Sequence, residues 1–344
     1  MRILILGASY GSLLSTKLLM AGHDVSLVCR EQTAALINAE GTIVRLKLRD
    51  EENHREISSD DLPGNVDALT PESAKPEDYD LIALAMQEPQ YSSPAVKELM
   101  GRVASSGKPC LSIMNMPPLP YLMRVNALKD KELTACFDDP GVWDGFKPGL
   151  MSLCSPDPQA FRPPEEKANF LHVGLPTNFK ASKFESAEHN GVLEKLEADI
   201  AAVTLDGKDV PVKLRVHDSL FVPMAKWSML LTGNYRCVTA NGAIPIKEAV
   251  HGNREESEAI YAWVDALARS LGADPEDQVP FEKYAKAAES LLKPSSAARA
   301  IEAGASRIER VDLLVKTIAS EFGKSLAAID NTVATVNQRL EQNV

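Results

Sequence analysis

The first residues of this chain that could do chemistry are a run of small ones, Gly7-Ala8-Ser9-Tyr10-Gly11-Ser12, with Arg30 closing the next apolar segment. A turn of small residues lets a pyrophosphate come within hydrogen-bonding reach of backbone N–H groups. A helix that starts there adds the favourable end of its dipole. The usual dinucleotide fingerprint is Gly-x-Gly-x-x-Gly, whereas this turn offers Gly7-x-Ser9-x-Gly11 and is one residue shorter. The flanking elements make up for the shortened spacing. Met1 to Leu6 reads as a short apolar strand, Leu13 to Ala21 has helical apolar spacing, and Val25 to Cys29 reads as a second strand ending at Arg30. That order is a βαβ dinucleotide-binding unit. An acidic residue at the end of the second strand would bond the adenosine ribose hydroxyls and favour NAD; an arginine meets a 2′-phosphate bidentately. The cofactor expected is therefore NADP, held by Gly7, Ala8, Ser9, Tyr10, Gly11, Ser12 and Arg30.

Two further strand ends carry polar groups. Leu81 to Met86 is a continuous apolar run of the kind found in buried parallel strands, and Gln87 follows it. Cys110 to Met114 is another, and Asn115 follows that one. Ligands of open parallel sheets sit beyond the carboxyl ends of the strands. Gly7, Arg30, Gln87 and Asn115 all fall at such ends, which makes Gln87 and Asn115 candidates for the cofactor site as well.

Around these, Gln32 to Glu40 reads as a helix closed by Gly41, Thr42 to Leu48 and His54 to Ser58 as strands, and Pro94 to Val103 as a helix. Residues 118 to 186 are dense in Pro, Asp and Phe and read as a long irregular insertion with strand candidates at Gly149 to Leu153 and Asn169 to Gly174. From Ala187 the pattern turns helical, with candidates at Val192–Val203, Leu220–Leu231, Ile246–Leu271, Phe281–Leu292, Ile308–Glu321 and Ala327–Leu340. The fold class expected is an α/β Rossmann-like nucleotide-binding domain over 1–186, followed by an all-α helical domain over 187–344.

Composition bounds the rest. The 344 residues, 44% hydrophobic and 25% charged, suit two domains with ordinary cores. A net charge of −11 and the lack of a Lys/Arg-rich run argue against a nucleic-acid partner. No apolar run approaches the length of a transmembrane helix, so no membrane partner is expected. Five scattered cysteines suggest reduced thiols in a cytoplasm, and neither they nor the six histidines have the spacing of a metal site.

The chain resembles the ketopantoate reductases, which join a Rossmann domain to a helical domain like that of 6-phosphogluconate dehydrogenase. The residues that carry the resemblance are Met1 to Arg30 with Ala21-Gly22-His23-Asp24-Val25, the strand Leu81 to Met86, Asn115, Lys226 with Asn234 beyond it, Thr239-Ala240, and Pro294-Ser295-Ser296 followed by Gly304. The resemblance implies an oxidoreductase that passes hydride from NADPH to a small oxo or imino acid. Lys226 would be its catalytic charge stabiliser and general acid, and Asn115, Asn234, Ser296 and Glu309 would bind substrate. The apolar residues around Lys226, from Phe221 to Leu231, fit partial burial of such a lysine. The alternatives are an opine-type or other hydroxyacid dehydrogenase of the same architecture, a protein that binds NADP(H) without catalysis, and, for Ser296, a helix cap. A homodimer is the assembly to test for.

Several positions depart from the family pattern. Gln87 stands where the family carries a lysine, and Leu230 where it carries an asparagine. The glutamate that holds a substrate hydroxyl falls near residue 308, where either Glu309 or, in another register, Arg310 would occupy its place. These departures point away from ketopantoate itself.

Overall fold

The computed structural model describes every residue, Met1–Val344, as two compact units. The first comprises Met1–Met86, Gln90–Met114 and Gly141–Asp218; the second comprises Gln87–Pro89, Asn115–Pro140 and Ser219–Val344.

The first unit grows from the opening βαβ segment. Strand β1 (Arg2–Leu6) runs into α1 (Gly11–Met20), then β2 (Asp24–Val28) and α2 (Glu31–Glu40). Strands β3 (Ile43–Lys47), β4 (His54–Ser58), β5 (Val66–Leu69) and β6 (Leu81–Leu84) follow, then α3 (Pro94–Ser106) and β7 (Cys110–Ile113). The chain later returns with β8 (Met151–Ser155), β9 (Gln159–Phe161), β10 (Phe170–Leu175), β11 (Phe179–Ser182), α4 (Ala187–Ala202), the hairpin β12–β13 (Thr204–Leu205 and Lys208–Asp209) and β14 (Leu214–His217). The main sheet has the order β14-β11-β8-β7-β6-β1-β2-β5. Its strands from β5 to β8 are parallel, with Ile3 paired to both Val25 and Leu81. Strand β11 then runs antiparallel to β8. Ile3 to Leu6 are fully buried, as a strand covered on both faces must be.

Successive strands lie on opposite sides of β1, so strand order reverses beside the turn that follows it, where open α/β sheets bind ligands. Gly7 is obligatory there. Its φ is +108°, and a Cβ would stand 2.7 Å from the Ala85 carbonyl oxygen. A smaller sheet, β4-β3-β10-β9, is built from the β3–β4 hairpin with β10 added in parallel.

The division at 186 expected from the sequence moves to 218. Helix α4, the β12–β13 hairpin and β14 follow residue 186 yet belong to the first unit, β14 pairing with β11 from Phe179↔Leu214 to Ser182↔His217. The strands β5, β9, β11 and β14 are only three to four residues long, too short for alternation to announce them. The stretch read as an insertion is likewise divided: residues up to Pro140 fall in the second unit, and the rest supply β8 to β11.

The second unit is helical apart from one two-stranded ribbon, Val238–Thr239 with Gly242–Ala243. Its helices are a short turn Leu119–Leu122, then α5 (Lys226–Met229), α6 (Ile246–His251), α7 (Arg254–Leu271), α8 (Phe281–Ala288), α9 (Ser296–Glu302), α10 (Val311–Glu321) and α11 (Ala327–Glu341). The single helix expected over Ile246–Leu271 is two, because Asn253 caps α7 by accepting the Glu256 N–H at 3.2 Å. No helix is long and apolar enough to cross a membrane.

Candidate functional site

In the first unit the turn after β1 presents backbone rather than side chains. The Gly7 N–H is spent on the Val28 carbonyl at 2.9 Å, whereas the N–H groups of Ala8, Ser9 and Tyr10 have no protein acceptor. They precede the N-terminus of α1, an arrangement suited to an anion. Two side chains expected at the cofactor turn inward instead. The Ser12 hydroxyl donates to the Ala8 carbonyl, and the Tyr10 hydroxyl donates to the Pro158 carbonyl at 2.7 Å with its ring edge-on to Phe179. What they lend a ligand is the shape of the turn. Arg30 stands between β2 and α2, exposed and without an ion-pair partner.

In the second unit one pocket gathers residues from five separate stretches. Gln87, Asn115, Asn234, Ser296 and Glu309 supply its polar wall, and Leu230, Ala297 and Ile308 its apolar wall, with Tyr235 beside them. Every residue singled out for substrate from the sequence lines this pocket except Lys226. Lys226 opens α5, half-buried, one turn ahead of Leu230 and so on the same helix face. Its positive charge acts on Glu309.

Backbone irregularity brings these groups together. The helix expected over Leu220–Leu231 begins as a tight turn at Pro223–Ala225, becomes regular through α5, and widens to π geometry over Leu230–Asn234. The Tyr235 N–H reaches back five residues to the Leu230 carbonyl at 3.0 Å. Gly233 permits the close packing on this stretch, since a Cβ there would lie 2.0 Å from the Tyr284 hydroxyl. Ser295, not Ser296, caps α9: its hydroxyl accepts the Ala298 N–H at 3.1 Å and donates to the Asn234 carbonyl at 2.7 Å. The Ser296 hydroxyl has no protein partner and remains available to a ligand.

Glu309 occupies the acidic position. Arg310, the other register, is committed to Asp312 through two bonds of 2.9 Å. The Tyr235 hydroxyl pins this segment, donating to the Glu309 carbonyl at 2.6 Å and accepting the Val311 N–H at 3.0 Å. The Glu309 side chain accepts the Asn115 amide N–H at 3.3 Å, leaving the buried Asn115 Oδ1 without a protein donor. Burial pushes the Glu309 carboxyl up to about 7. The Asn115 side chain, the Glu88 N–H, the Lys226 charge and the Asn115 N–H oppose that rise. Burial likewise pushes Glu88 up to about 8, the Asp138 N–H opposing and the charges of Asp138, Glu309 and Asp139 assisting. Glu88 and Tyr235 were not legible in the sequence: nothing in Met86-Gln87-Glu88-Pro89 marks the glutamate as buried, and a tyrosine beside Asn234 reads as core.

The sequence matches no protein-family model and no curated protein. Solved structures share its fold over nearly the whole length. The chain is similar to 2-dehydropantoate 2-reductase from Methylococcus capsulatus, with a TM-score of 0.69 at 13% identity, covering 100% of this chain and 98% of that one. It is similar to D-mandelate dehydrogenase, in a ternary structure with NADH and anilino(oxo)acetate, with a TM-score of 0.66 at 13% identity over 100% and 99% of the two chains. It is also similar to a dimeric ketopantoate reductase from Staphylococcus aureus, with a TM-score of 0.63 at 10% identity over 100% of each. What these likenesses establish is the fold, a Rossmann-like α/β unit with a helical part.

A carboxyl whose pKa is raised on folding stabilises the native state at low pH, because the unfolded chain loses that proton first. For Glu309 the contribution fades between the ordinary value of 4.5 and about 7. Glu309→Gln is therefore expected to gain stability relative to the parent by roughly 3 kcal/mol on going from pH 4 to pH 8, at about 1.4 kcal/mol per unit. Urea unfolding of both proteins across that range measures it, and a pH-independent difference would show that the carboxyl ionises normally.

Proposed function

We propose that the protein is an NADPH-dependent reductase of a small oxo or imino acid, of the ketopantoate reductase type. The observation that carries this reading is the convergence of Gln87, Asn115, Asn234, Ser296 and Glu309 on one pocket, with Lys226 one turn from Leu230. The cofactor would be held by the free N–H groups of Ala8, Ser9 and Tyr10, in a turn that Gly7 keeps open. When bound, it supplies hydride. The chain's own task is to fix the carbonyl or imine and to answer the negative charge that develops on its heteroatom. Lys226 does this as a cation and then gives up its proton. Asn115 Oδ1 and Glu309 accept from a donor on the substrate, while Ser296 and Asn234 hold its carboxylate.

Leu230 and Gln87 shape the choice of substrate. An apolar wall of Leu230, Ala297 and Ile308 suits an apolar side group, and Gln87 is uncharged where a lysine would bind an anion. Ketopantoate is accordingly expected to be a poor substrate beside more hydrophobic oxo acids. The same apolar wall supports a second reading, a hydroxyacid dehydrogenase that works in the oxidative direction, and D-mandelate dehydrogenase shares the fold. The reading includes a cytoplasmic setting, supported by five cysteines none of which is in a disulfide, and a homodimer, the form of the Staphylococcus aureus neighbour.

Arg30, exposed and without a partner, is the residue placed to meet a 2′-phosphate. NADPH is expected to bind more tightly than NADH in a nicotinamide-fluorescence titration, with Arg30→Ala removing most of the difference. A preference for NADH that survives Arg30→Ala would refute the NADP assignment. For catalysis, a panel of oxo and imino acids is screened by NADPH consumption. With the acid reduced best, Lys226→Ala is expected to lower kcat by about two to three orders of magnitude while cofactor affinity holds. Undiminished turnover would remove Lys226 from the reaction.

A further inference from the structure

Behind the pocket wall lies a carboxyl that the proposed reaction does not use. Glu88 adjoins the pocket residue Gln87 and is 3% exposed. Both its oxygens lie within reach of the Asp138 N–H, at 3.1 and 3.3 Å, and Asp138 in turn pairs with Arg307 at 2.9 Å. Its own backbone N–H donates to the Glu309 carboxyl. Glu88 thus grips the irregular segment Arg307–Glu309 twice, directly at Glu309 and through Asp138 at Arg307.

The charges around the two carboxyls are unbalanced. Glu88 faces Asp138, Asp139 and Glu309, all acidic. Glu309 faces Lys226, while the nearby Arg310 is occupied by Asp312 and Arg307 by Asp138. Tyr235 is held between the Glu309 carbonyl and the Val311 N–H, so its hydroxyl proton is committed. Lys226 thus acts on Glu309, while the charges that act on Glu88 are negative.

We propose that Glu88 is a positioning residue that sets the charge of Glu309, the two carboxyls retaining one proton between them, which rests on Glu88 when Glu309 ionises. The part that concerns substrate rests on the reductase reading above; the proton sharing does not. With Glu88 neutral, an ionised Glu309 is steadied by Asn115, by the Glu88 N–H and by Lys226, and accepts from the substrate's donor group. Once Glu88 ionises as well, a second negative charge is added among buried groups that already include ionised Glu309, and the ionised form of Glu309 is disfavoured. The upward shifts, to about 7 for Glu309 and about 8 for Glu88, fit this order. Substrate binding is then expected to peak in the narrow window between the two steps.

The test is a pH titration of the full chain labelled with 13C at the glutamate side-chain carboxyls, without ligand, from pH 4 to pH 10. Glu88→Gln, which keeps volume and backbone N–H, and Glu309→Gln assign the signals. Two carboxyls are expected to titrate near neutrality, far above the surface glutamates. Removing Glu309 is expected to lower the Glu88 step by half a unit or more. Should Glu88→Gln fail to fold, the response of Glu88 to Glu309→Gln still decides the matter. A Glu88 signal that titrates in the ordinary carboxylate range, or that ignores Glu309→Gln, overturns the proposal. In turnover with the best oxo acid, Glu88→Gln is expected to move the alkaline limb of the kcat/KM profile up by about one pH unit. A uniform loss at every pH, with the limb unmoved, would mark Glu88 as merely structural and overturn its role in charge. If no acid is reduced the reductase reading fails, while the carboxyl titration still decides the proton sharing.

Discussion

A carboxyl enclosed away from water is costly unless neighbours answer it, and the pocket of the helical unit is organised around one such group, Glu309. Its side chain takes the Asn115 amide N–H at 3.3 Å, joining residues 194 positions apart in the chain. Backbone N–H groups of Glu88 and Asn115 add further donors. The Tyr235 hydroxyl fixes the main chain of the same residue from the other side. Without these bonds the segment Ser306–Arg310, which has no regular structure of its own, would have no reason to present a carboxyl to the pocket. The π-widened turn before Tyr235 and the Ser295 bridge to Asn234 follow from the same requirement, since both set the opposite wall.

Much of this was legible in the residues. The opening strand, turn and helix are where the small residues and the apolar run put them, because a fully buried parallel strand leaves an unbroken apolar signature. Gln87, Asn115, Asn234, Ser296 and Glu309 were each nominated from strand ends or family resemblance, and the fold collects them in one place. The failures have a common physical cause. Strands β9, β11 and β14 are short, and their pairing is decided by partners distant in sequence, so no local period reveals them. Ser12 and Tyr10 sit in a ligand-type turn, but local carbonyls claim their hydroxyls. Glu88 carries no pattern at all, because its importance comes from a loop fifty residues away.

Two of the positions at which the chain departs from the ketopantoate reductase pattern lie on the pocket. Leu230 and Gln87 both line it, and each exchanges a polar or charged group for a less demanding one. Lys226 and Asn115, which the proposed reading puts at the reacting centre and beside it, stand where the resemblance expects them. A site altered in this way has kept the groups that would answer charge development and changed those that would read the rest of the molecule. The proposed reading takes this as a shifted substrate.

The central claim is that hydride passes from a reduced nicotinamide to the carbonyl or imine carbon of a small acid held in this pocket. The most direct measurement is transfer of label: NADPH carrying deuterium at the transferable C4 position is incubated with the protein and an apolar oxo acid, and the product is examined by mass spectrometry and NMR. The account predicts one deuterium on the former carbonyl carbon, in a single stereochemical configuration. Tight binding of NADPH with no label entering any oxo or imino acid would contradict it and leave a protein that binds the cofactor without reducing anything.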